Sequence, residues 1–244
     1  MEVLGIDVGG TGIKGAPVNI ETGELLKERH RIPTPQPATP EAIAKVIKEL
    51  VDFFGWKGKI GLGFPAVIQR GIVLTASNID NSWIGIPINK YLSEKTGCDV
   101  FAVNDADAAG VAELNFGVGN DKKGIVLLLT IGTGVGSVLF VDGKLIPNTE
   151  LGHMVFRDKT VEKYISNSVR ENKELTWEKY GKRFKKTLKY FEHLFYPDLI
   201  IIGGGISKKM DFLMPFIDIK TNVVPAQLMN EAGIIGAAVH AAEK

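Results

Sequence analysis

Two short turns rich in threonine and glycine follow apolar strands, and their residue types suit phosphate binding. In the first turn, Asp7 stands at the end of a strand and is followed by Gly9, Gly10, Thr11 and Lys14. A carboxylate at a strand end can organise a hydrated magnesium ion, while turn amides and a threonine hydroxyl can hold phosphate oxygens. The alternative is a glycine-rich β-turn in which Asp7 accepts hydrogen bonds from local amides.

The second turn repeats this pattern after the apolar strand 124–131. Its candidate phosphate-binding residues are Thr130, Gly132, Thr133 and Gly134. Both segments consist of a strand, a glycine turn, a strand, a turn containing glycine, and a further strand, which indicates an internal repeat. Two equivalent turns would flank one phosphate chain from both sides. A cleft between two related α/β halves is therefore expected, since backbone without a Cβ lets a ligand approach closely.

Two common nucleotide motifs do not explain these turns. Residues 10–15 match GxGxxG, but a β-meander follows them, whereas a dinucleotide site needs a helix that begins at the glycines. GxxxxGK followed by Ser or Thr does not occur in the sequence.

A third candidate for chemistry is the pair Asn104 and Asp105. The pair follows the apolar strand 100–103 and precedes a helical pattern, so it should lie at the mouth of a sheet. A carboxylate there could take the proton from a substrate hydroxyl. The alternative is that one of the two side chains caps the helix, although capping needs only one of them.

The elements that would position these residues can be read from the remaining pattern. A three-stranded meander is predicted over residues 3–32, followed by a helix from Thr39 to about Phe54 and a buried strand over 59–64. Helices are predicted over 160–172 and 176–195, followed by a strand over 198–202. A glycine run and a final helix close the chain.

Composition excludes several classes of protein. The chain has 244 residues, 45% of them hydrophobic, as in ordinary globular proteins. Lys and Arg number 29 against 28 Asp and Glu, and the resulting net charge of +1 is too small to attract nucleic acid or an anionic membrane. Cys98 is the only cysteine, and no apolar run reaches about 18 residues. A cytoplasmic location is therefore expected.

In this order, the motifs DVGGT, LTIGTGVG, ELGH and GGGIS resemble those of the ROK branch of bacterial sugar kinases, in the actin-like ATPase superfamily. The segments SNIDNSWIG, VNDADAAG and GGGISKK further resemble the polyphosphate-using glucokinases of that family. The resemblance implies an α/β fold with two actin-like, ribonuclease H-like domains. We expect these domains at residues 1–103 plus 226–244 and at residues 104–225.

The resemblance also implies roles for individual residues. Asp105 is expected to be the general base. The sugar is expected to contact Gly63, Pro65, Asn78, Asn104, Asp105, Glu150 and His153, with Trp83 either beside the pocket or simply in the core. Gly203, Gly204 and Gly205 match the turn that lies under the nucleotide in ATP-using relatives. Lys208 and Lys209 follow directly, either as donor contacts or as a solvated surface.

One family element is missing from the sequence. In most ROK proteins the histidine that matches His153 also binds zinc, with three cysteines of a following CxCGxxGC segment. This chain has MVFRDKTVEKYISNSV there, so no zinc site is expected. His153 is consequently a weaker expectation for a sugar ligand than Glu150.

The expected reaction is phosphoryl transfer from polyphosphate, ATP or both to the 6-hydroxyl of glucose, with Mg²⁺ placed by Asp7. A strictly ATP-dependent kinase for another hexose, or a sugar-binding protein without catalysis, remains an alternative. ROK repressors carry an N-terminal helix-turn-helix, which is not expected here because the sequence opens on the first strand. No nucleic-acid or membrane partner is expected, and a homodimer is left open.

Overall fold

The computed structural model describes residues 1–77 and 79–244. The strands are β1 (Glu2–Val8), β2 (Ile13–Asn19), β3 (His30–Ile32), β4 (Ile60–Phe64), β5 (Ile68–Gln69), β6 (Ile72–Val73), β7 (Val100–Asn104), β8 (Ile125–Ile131), β9 (Val135–Val141), β10 (Lys144–Ile146), β11 (Val155–Phe156), β12 (Lys159–Thr160), β13 (Leu199–Gly203) and β14 (Asn222–Pro225). The α-helices are α1 (Pro40–Phe54), α2 (Ile88–Thr96), α3 (Asp105–Phe116), α4 (Glu162–Ile165), α5 (Asn167–Asn172), α6 (Trp177–Phe195), α7 (Met210–Leu213) and α8 (Ala232–Ala242).

Two five-stranded sheets share one topology, so the predicted internal repeat is present. Their strand orders are β3-β2-β1-β4-β7 and β10-β9-β8-β13-β14. In each, an antiparallel meander is extended on one side by two parallel strands. The tight turn between β9 and β10 has positive φ at both Asp142 and Gly143, which is the geometry of a type I′ hairpin.

The chain divides into two compact units, residues 1–116 with 230–244 and residues 117–229. The division falls after Phe116, whereas the sequence placed it after residue 103. The cause is α3, which packs closely against α8 and therefore belongs to the first unit. Gly236 of α8 lies against the carbonyl of Ala108 in α3, at a distance that leaves no room for a Cβ.

In the first unit, the alternation of β1 separates two faces of the sheet. Leu4, Ile6 and Val8 are buried in the core that includes α1 and α2. Gly5 and Asp7 point to the opposite face, where Gly5 contacts the backbone of α8. A helix made of small residues can approach the sheet closely, and this approach brings α8 against the candidate site.

In the second unit, one face of the sheet packs against α6. Leu127 and Leu129 of β8 are buried together with Phe184, Leu188 and Phe191 of that helix. Apolar residues recur three or four positions apart on α6, and basic residues occupy its outer face. The core of this unit therefore fixes the position of β8, whose end carries the second glycine turn.

Local signals account for most element boundaries. Thr39 caps α1, since its Oγ1 accepts a hydrogen bond from the backbone N–H of Ala42. The predicted single helix over 160–172 is wrong: β12 ends at Thr160, and two short helices follow. Ser166 separates them because its backbone is extended and its Oγ accepts from Val169 N–H. Among the described residues, no helix has the length and apolarity that a membrane crossing requires.

Partial burial of His240 in α8 predicts an acid-sensitive fold. Desolvation, with a smaller contribution from Lys244, lowers the pKa of His240 to about 4. In the unfolded chain His240 has a pKa near 6.5, so on acidification the unfolded state binds the proton first. The stability contributed by neutral His240 is therefore complete above pH 6.5 and is lost as the pH falls towards 4. We expect a loss of about 2 kcal/mol between pH 7 and pH 5.

Urea denaturation of the wild type and of His240→Asn at both pH values measures this contribution. The loss in unfolding free energy between the two pH values should be smaller in the variant, because the other titrating groups are common to both proteins. Equal losses in the two proteins would contradict the assignment to His240.

Candidate functional site

Several predicted site residues share one edge of the first sheet. β1, β4 and β7 run parallel, so their carboxyl ends lie at the same edge. Asp7 is in register with Gly63, and Phe64 is in register with Asn104. Asp105 begins α3 directly after β7. Ligands of α/β sheets bind at such carboxyl edges, and this edge carries both the first glycine turn and the candidate base.

Side chains of neighbouring residues fix the carbonyl groups of the first glycine turn, while the tip of the turn is open to solvent. Thr34 donates a hydrogen bond to the carbonyl of Gly9 at 2.5 Å, and the Arg31 guanidinium donates to the carbonyl of Thr11 at 2.7 Å. Gly10 and Thr11 are exposed, and a Cβ added at Gly10 would meet no atom within 4 Å. The turn therefore presents its backbone and the threonine hydroxyl to an approaching ligand.

Asp7 lies in a tight pocket at the end of β1. Its Oδ2 is 3.5 Å from Lys14 Nζ, and its side chain is 20% exposed. On the other side, a Cβ at Gly233 of α8 would stand 2.9 Å from Asp7 Cγ. Burial raises the pKa of the Asp7 carboxyl, and the nearby Lys14 ammonium opposes that shift.

The oxygen ligands available at Asp7 fit a hydrated magnesium ion. Mg²⁺ in phosphate-binding sites keeps several waters and takes only one or two protein carboxylates, together with phosphate oxygens. Asp7 supplies one such carboxylate beside the open glycine turn, and the missing Cβ of Gly233 leaves space at Oδ1. Lys14 adds a positive charge on the side of Oδ2.

The side chain of Asn104 caps α3. Its Oδ1 accepts hydrogen bonds from the backbone N–H groups of Ala106 and Asp107, at 2.9 and 3.1 Å. Its Nδ2 donates to the carbonyl of Ala66 at 3.2 Å. The half-buried Asp105 accepts from Ala106 N–H through Oδ1 at 2.8 Å. Helix capping, the alternative role for this pair, is thus performed mainly by Asn104. The second N–H of its amide is the group through which Asn104 could reach a sugar hydroxyl.

The segment after β4 borders the same edge. Pro65 follows β4 and is partly buried. Trp83 is fully buried against Phe64, with ring centroids 4.7 Å apart, and its indole N–H donates to the carbonyl of Ala38. Of the two positions considered for Trp83, beside the sugar pocket or in the core, the structure shows the core. Asn78, a predicted sugar ligand, lies outside the described residues.

The glycine turn of the second unit is closed by a backbone hydrogen bond, as the first is, but it is one residue shorter. The N–H of Gly132 donates to the carbonyl of Gly134 at 3.0 Å, as the N–H of Gly9 does to Gly12 at 3.1 Å. Asn167 at the start of α5 donates its N–H to the carbonyl of Gly132. The backbone supports the turn in this way, and Thr133 is exposed at its tip.

A glutamate that the sequence analysis missed lies behind this turn. Glu162 Oε2 accepts the N–H of Val135 at 3.3 Å and occupies the space beside Gly134 where a Cβ would stand. Glu162 therefore closes the side of the turn at Gly134, whereas the side at Gly132 is open, since a Cβ there would meet no atom within 4 Å. No motif in the sequence marks Glu162, because the contact depends on how α4 packs.

The glycine run after β13 joins the same edge of the second unit. Gly203 is in register with Thr130. Gly204 has φ +73° and ψ −168°, and its Cα lies against the backbone of Ile131. Gly205 opens a 3₁₀ turn that ends with the exposed residues Lys208 and Lys209. The predicted donor residues of this unit therefore lie together.

The ELGH segment is fastened to β9. Ser137 Oγ accepts the N–H of Leu151 at 2.8 Å and donates to the carbonyl of Thr149. Gly152 lies so close to the carbonyl of Val135 that no other residue would fit. These contacts fix a 3₁₀ turn at Leu151–His153.

The two predicted sugar ligands of this segment differ in exposure. The side chain of Glu150 is 39% exposed and that of His153 is 61% exposed, with Oε2 and Nδ1 3.8 Å apart. Desolvation raises the pKa of Glu150, Glu162 raises it further, and His153 lowers it. Glu150 is thus the better enclosed of the two polar side chains.

A β-hairpin with a two-residue loop stands where most ROK proteins have the cysteine segment that binds zinc. β11 and β12 pair antiparallel, with positive φ at Arg157 and Asp158 between them. Phe156 of this hairpin packs against Tyr164 and Tyr190, with ring centroids 5.6 and 4.9 Å apart. Over residues 1–77 and 79–244, no group of three or more His, Cys, Asp or Glu side chains is arranged to hold a metal ion.

Comparisons with known proteins identify the family of this chain. The ROK family profile matches residues 3–164. The polyphosphate glucokinase of Mycobacterium tuberculosis (strain ATCC 25618 / H37Rv) is 48% identical over 237 residues, which cover 97% of this chain and 89% of that protein.

Two solved structures are similar over nearly the whole chain. The inorganic polyphosphate/ATP-glucomannokinase from Arthrobacter sp. strain KM has a TM-score of 0.93 and 44% identity, and the match covers 99% of this chain and 98% of that one. A ROK family glucokinase from Streptomyces griseus, in complex with glucose and AMPPNP, has a TM-score of 0.83 and 25% identity, with both chains fully covered. The match of the family profile and the 48% identity over 97% of the sequence place this chain in the ROK family.

Proposed function

We propose that this protein is a glucokinase that transfers a phosphoryl group from polyphosphate, ATP or both to the 6-hydroxyl of glucose. The observation that carries the proposal is the shared carboxyl edge of β1, β4 and β7, which brings the Asp7 turn and Asp105 together. The names of the similar proteins support the choice of glucose and of both donors.

Asp105 is the proposed general base. Phosphoryl transfer passes through a loose transition state, so positioning and charge stabilisation supply most of the rate. Asp105 is held at the start of α3 by its bond to Ala106, and it would accept the proton of the 6-hydroxyl. Asn104 would orient the sugar through its amide. Gly63, Pro65, Asn78, Glu150 and His153 are the further proposed sugar contacts.

The glycine turns are the proposed donor contacts. Gly9, Gly10 and Thr11 in the first unit, and Thr130 with Gly132, Thr133 and Gly134 in the second, would hold phosphate oxygens by backbone amides and hydroxyls. Gly204 and Gly205 would lie beneath the donor. When bound at Asp7, Mg²⁺ would neutralise charge on the donor phosphates. Lys14 would add a fixed positive charge next to it.

An assay of sugars against donors tests the proposal. Glucose, mannose, fructose and N-acetylmannosamine are each offered with ATP and with polyphosphate, and the sugar phosphate is measured. We expect turnover with glucose and with at least one donor, and none without divalent cation. Binding of glucose without turnover on any donor would leave a sugar-binding protein, and a preference for another hexose would overturn the substrate.

Polyphosphate has no base or ribose, so its recognition should depend on charge. We predict that polyphosphate supports glucose phosphorylation at least comparably to ATP. Replacing the exposed Lys208 and Lys209 with alanine should raise the KM for polyphosphate more than the KM for ATP. Raising salt from about 0.05 to 0.5 M shortens the screening length several-fold, so the KM for polyphosphate should rise more than that for glucose.

Lys122→Ala with Lys123→Ala is the matched control, since this exposed pair lies on the same unit before β8. If the Lys208 and Lys209 substitutions changed the KM for ATP and the KM for polyphosphate equally, the two lysines would not bind polyphosphate selectively. If ATP works and polyphosphate of any length gives no glucose 6-phosphate, the donor assignment is wrong.

A further inference from the structure

The near-neutral net charge of the chain hides an imbalance between its two units. Residues 117–229 carry 17 Lys and Arg against 12 Asp and Glu, whereas residues 1–116 with 230–244 carry 12 against 16. The helix α6 accounts for much of the excess, with six basic residues and two acidic ones. The positive charge is therefore concentrated on one element outside the site described above.

Four lysines of α6 form a single exposed row. Lys179, Lys182, Lys186 and Lys189 are exposed and follow one another at intervals of three, four and three residues. This spacing places them on one face of the helix, and the row is about 15 Å long at 1.5 Å per residue. Lys182 pairs with Glu178. In the part of the chain that the structure describes, no acidic group lies within 4 Å of the other three ammonium groups.

The row begins near the second donor turn. Gly132 accepts the N–H of Asn167, whose side chain accepts from Arg170 Nε at 3.2 Å. The Arg170 guanidinium lies 4.4 Å from the ring centre of Trp177, the first residue of α6. From there α6 leads back to the start of β13, whose far end is in register with Thr130. The helix thus runs from the donor-turn edge of the sheet to the opposite edge.

A surface cavity of about 600 Å³ lies at the far end of the row. Lys189, His193 and Lys220 line it together with two acidic residues. Both acids already have partners, because Glu192 accepts the N–H of Thr221 at 2.6 Å and Asp218 pairs with Lys185 at 2.9 Å. Lys189 and Lys220 lie near these carboxylates as well, so that with Lys185 three lysines face two acidic groups, and this excess of positive charge would attract an external anion.

We propose that the lysine row of α6 and the cavity at its end bind the distal part of a long polyphosphate chain whose terminal phosphoryl group lies at the donor turns. This inference rests on the proposed function and extends it to chain length. A linear polyanion fits a row of regularly spaced cations better than a compact donor does. A nucleic acid fits less well, because stacking of successive bases needs several exposed rings. Tyr180, Phe184 and Phe191 of α6 are buried and Tyr190 packs on Phe156, so that Tyr196 in the cavity is the exposed tyrosine at this end of the row.

The test replaces Lys179, Lys186 and Lys189 together by glutamine, which keeps the length of the side chain and favours helix. The KM for polyphosphate of several hundred phosphates should rise tenfold or more, with kcat unchanged. The KM values for ATP and for tripolyphosphate should stay within about twofold of wild type, because neither donor reaches the row. Three phosphate contacts also predict that the slope of log affinity against log salt falls by about 2.

The matched control replaces the exposed Lys27, Lys45 and Lys57 of the first unit by glutamine and changes the net charge equally. It should leave the KM for long polyphosphate unchanged. An equal rise in both triple variants would indicate general electrostatic attraction and would overturn the row as a binding surface.

Direct binding of long polyphosphate, followed by fluorescence anisotropy of an end-labelled chain, separates this inference from the proposed function. If the wild type turns over ATP but no polyphosphate, the donor proposal fails. If the label binds the wild type and the triple variant equally, the row fails, whatever the turnover. A single-stranded oligonucleotide of equal charge that binds the row as tightly would point to nucleic acid instead and would overturn the polyphosphate assignment.

Discussion

Asp105→Asn should lower kcat for glucose phosphorylation by about a hundred- to ten-thousand-fold, the usual contribution of a positioned general base. The amide keeps the shape of the carboxylate and one oxygen that can accept the N–H of Ala106. It cannot accept the proton of the 6-hydroxyl. Melting temperature and glucose affinity, measured by scanning fluorimetry and calorimetry, should stay close to those of the wild type.

Glu41→Gln provides the matched control for this substitution. Glu41 lies in the first turn of α1, so the change removes one negative charge at a helix N-terminus without touching the candidate site. Its kcat should equal that of the wild type. If Asp105→Asn retained more than about a tenth of wild-type turnover, Asp105 would not be the base.

The repeated architecture could be predicted because its signals are local. Each meander is marked by alternating apolar residues and by turns with glycine, and α1 is marked by Thr39 and Pro40 at its start. The division between the two units was misplaced because it depends on packing. The packing of α3 against α8, closest where Gly236 meets Ala108, places α3 in the first unit.

The candidate site shows the same limit. Asp7, Asp105 and the glycine turns follow strands, so their place at a sheet edge follows from parallel pairing. The side chains that support the site through contacts with its backbone are not identified by any sequence motif. Thr34 acts through one hydrogen bond to the carbonyl of Gly9, and Ser137 through two that hold the ELGH segment. Glu162 reaches the second turn from a helix that the sequence did not separate.

The second large effect is expected at Gly204, where a single methyl group should disrupt the second donor edge. Gly204 has φ +73° and ψ −168°, a region that essentially only glycine occupies. An added Cβ would also overlap the backbone of Ile131, which the core of the sheet holds in place. Strain and overlap together should cost about 3 kcal/mol or more, which lowers the melting temperature by roughly 10 °C in a chain of this size.

Gly205→Ala separates this backbone requirement from a general intolerance of the turn. Gly205 is the next residue, it has no positive φ, and a Cβ there would meet no atom within 4 Å. Its melting temperature should match the wild type, so any rise in the KM for ATP or polyphosphate in Gly205→Ala would report contact with the donor alone. Equal melting temperatures for Gly204→Ala and the wild type would show that the end of β8 can move. In that case the glycine run would not hold the donor turn at Thr130 in its place.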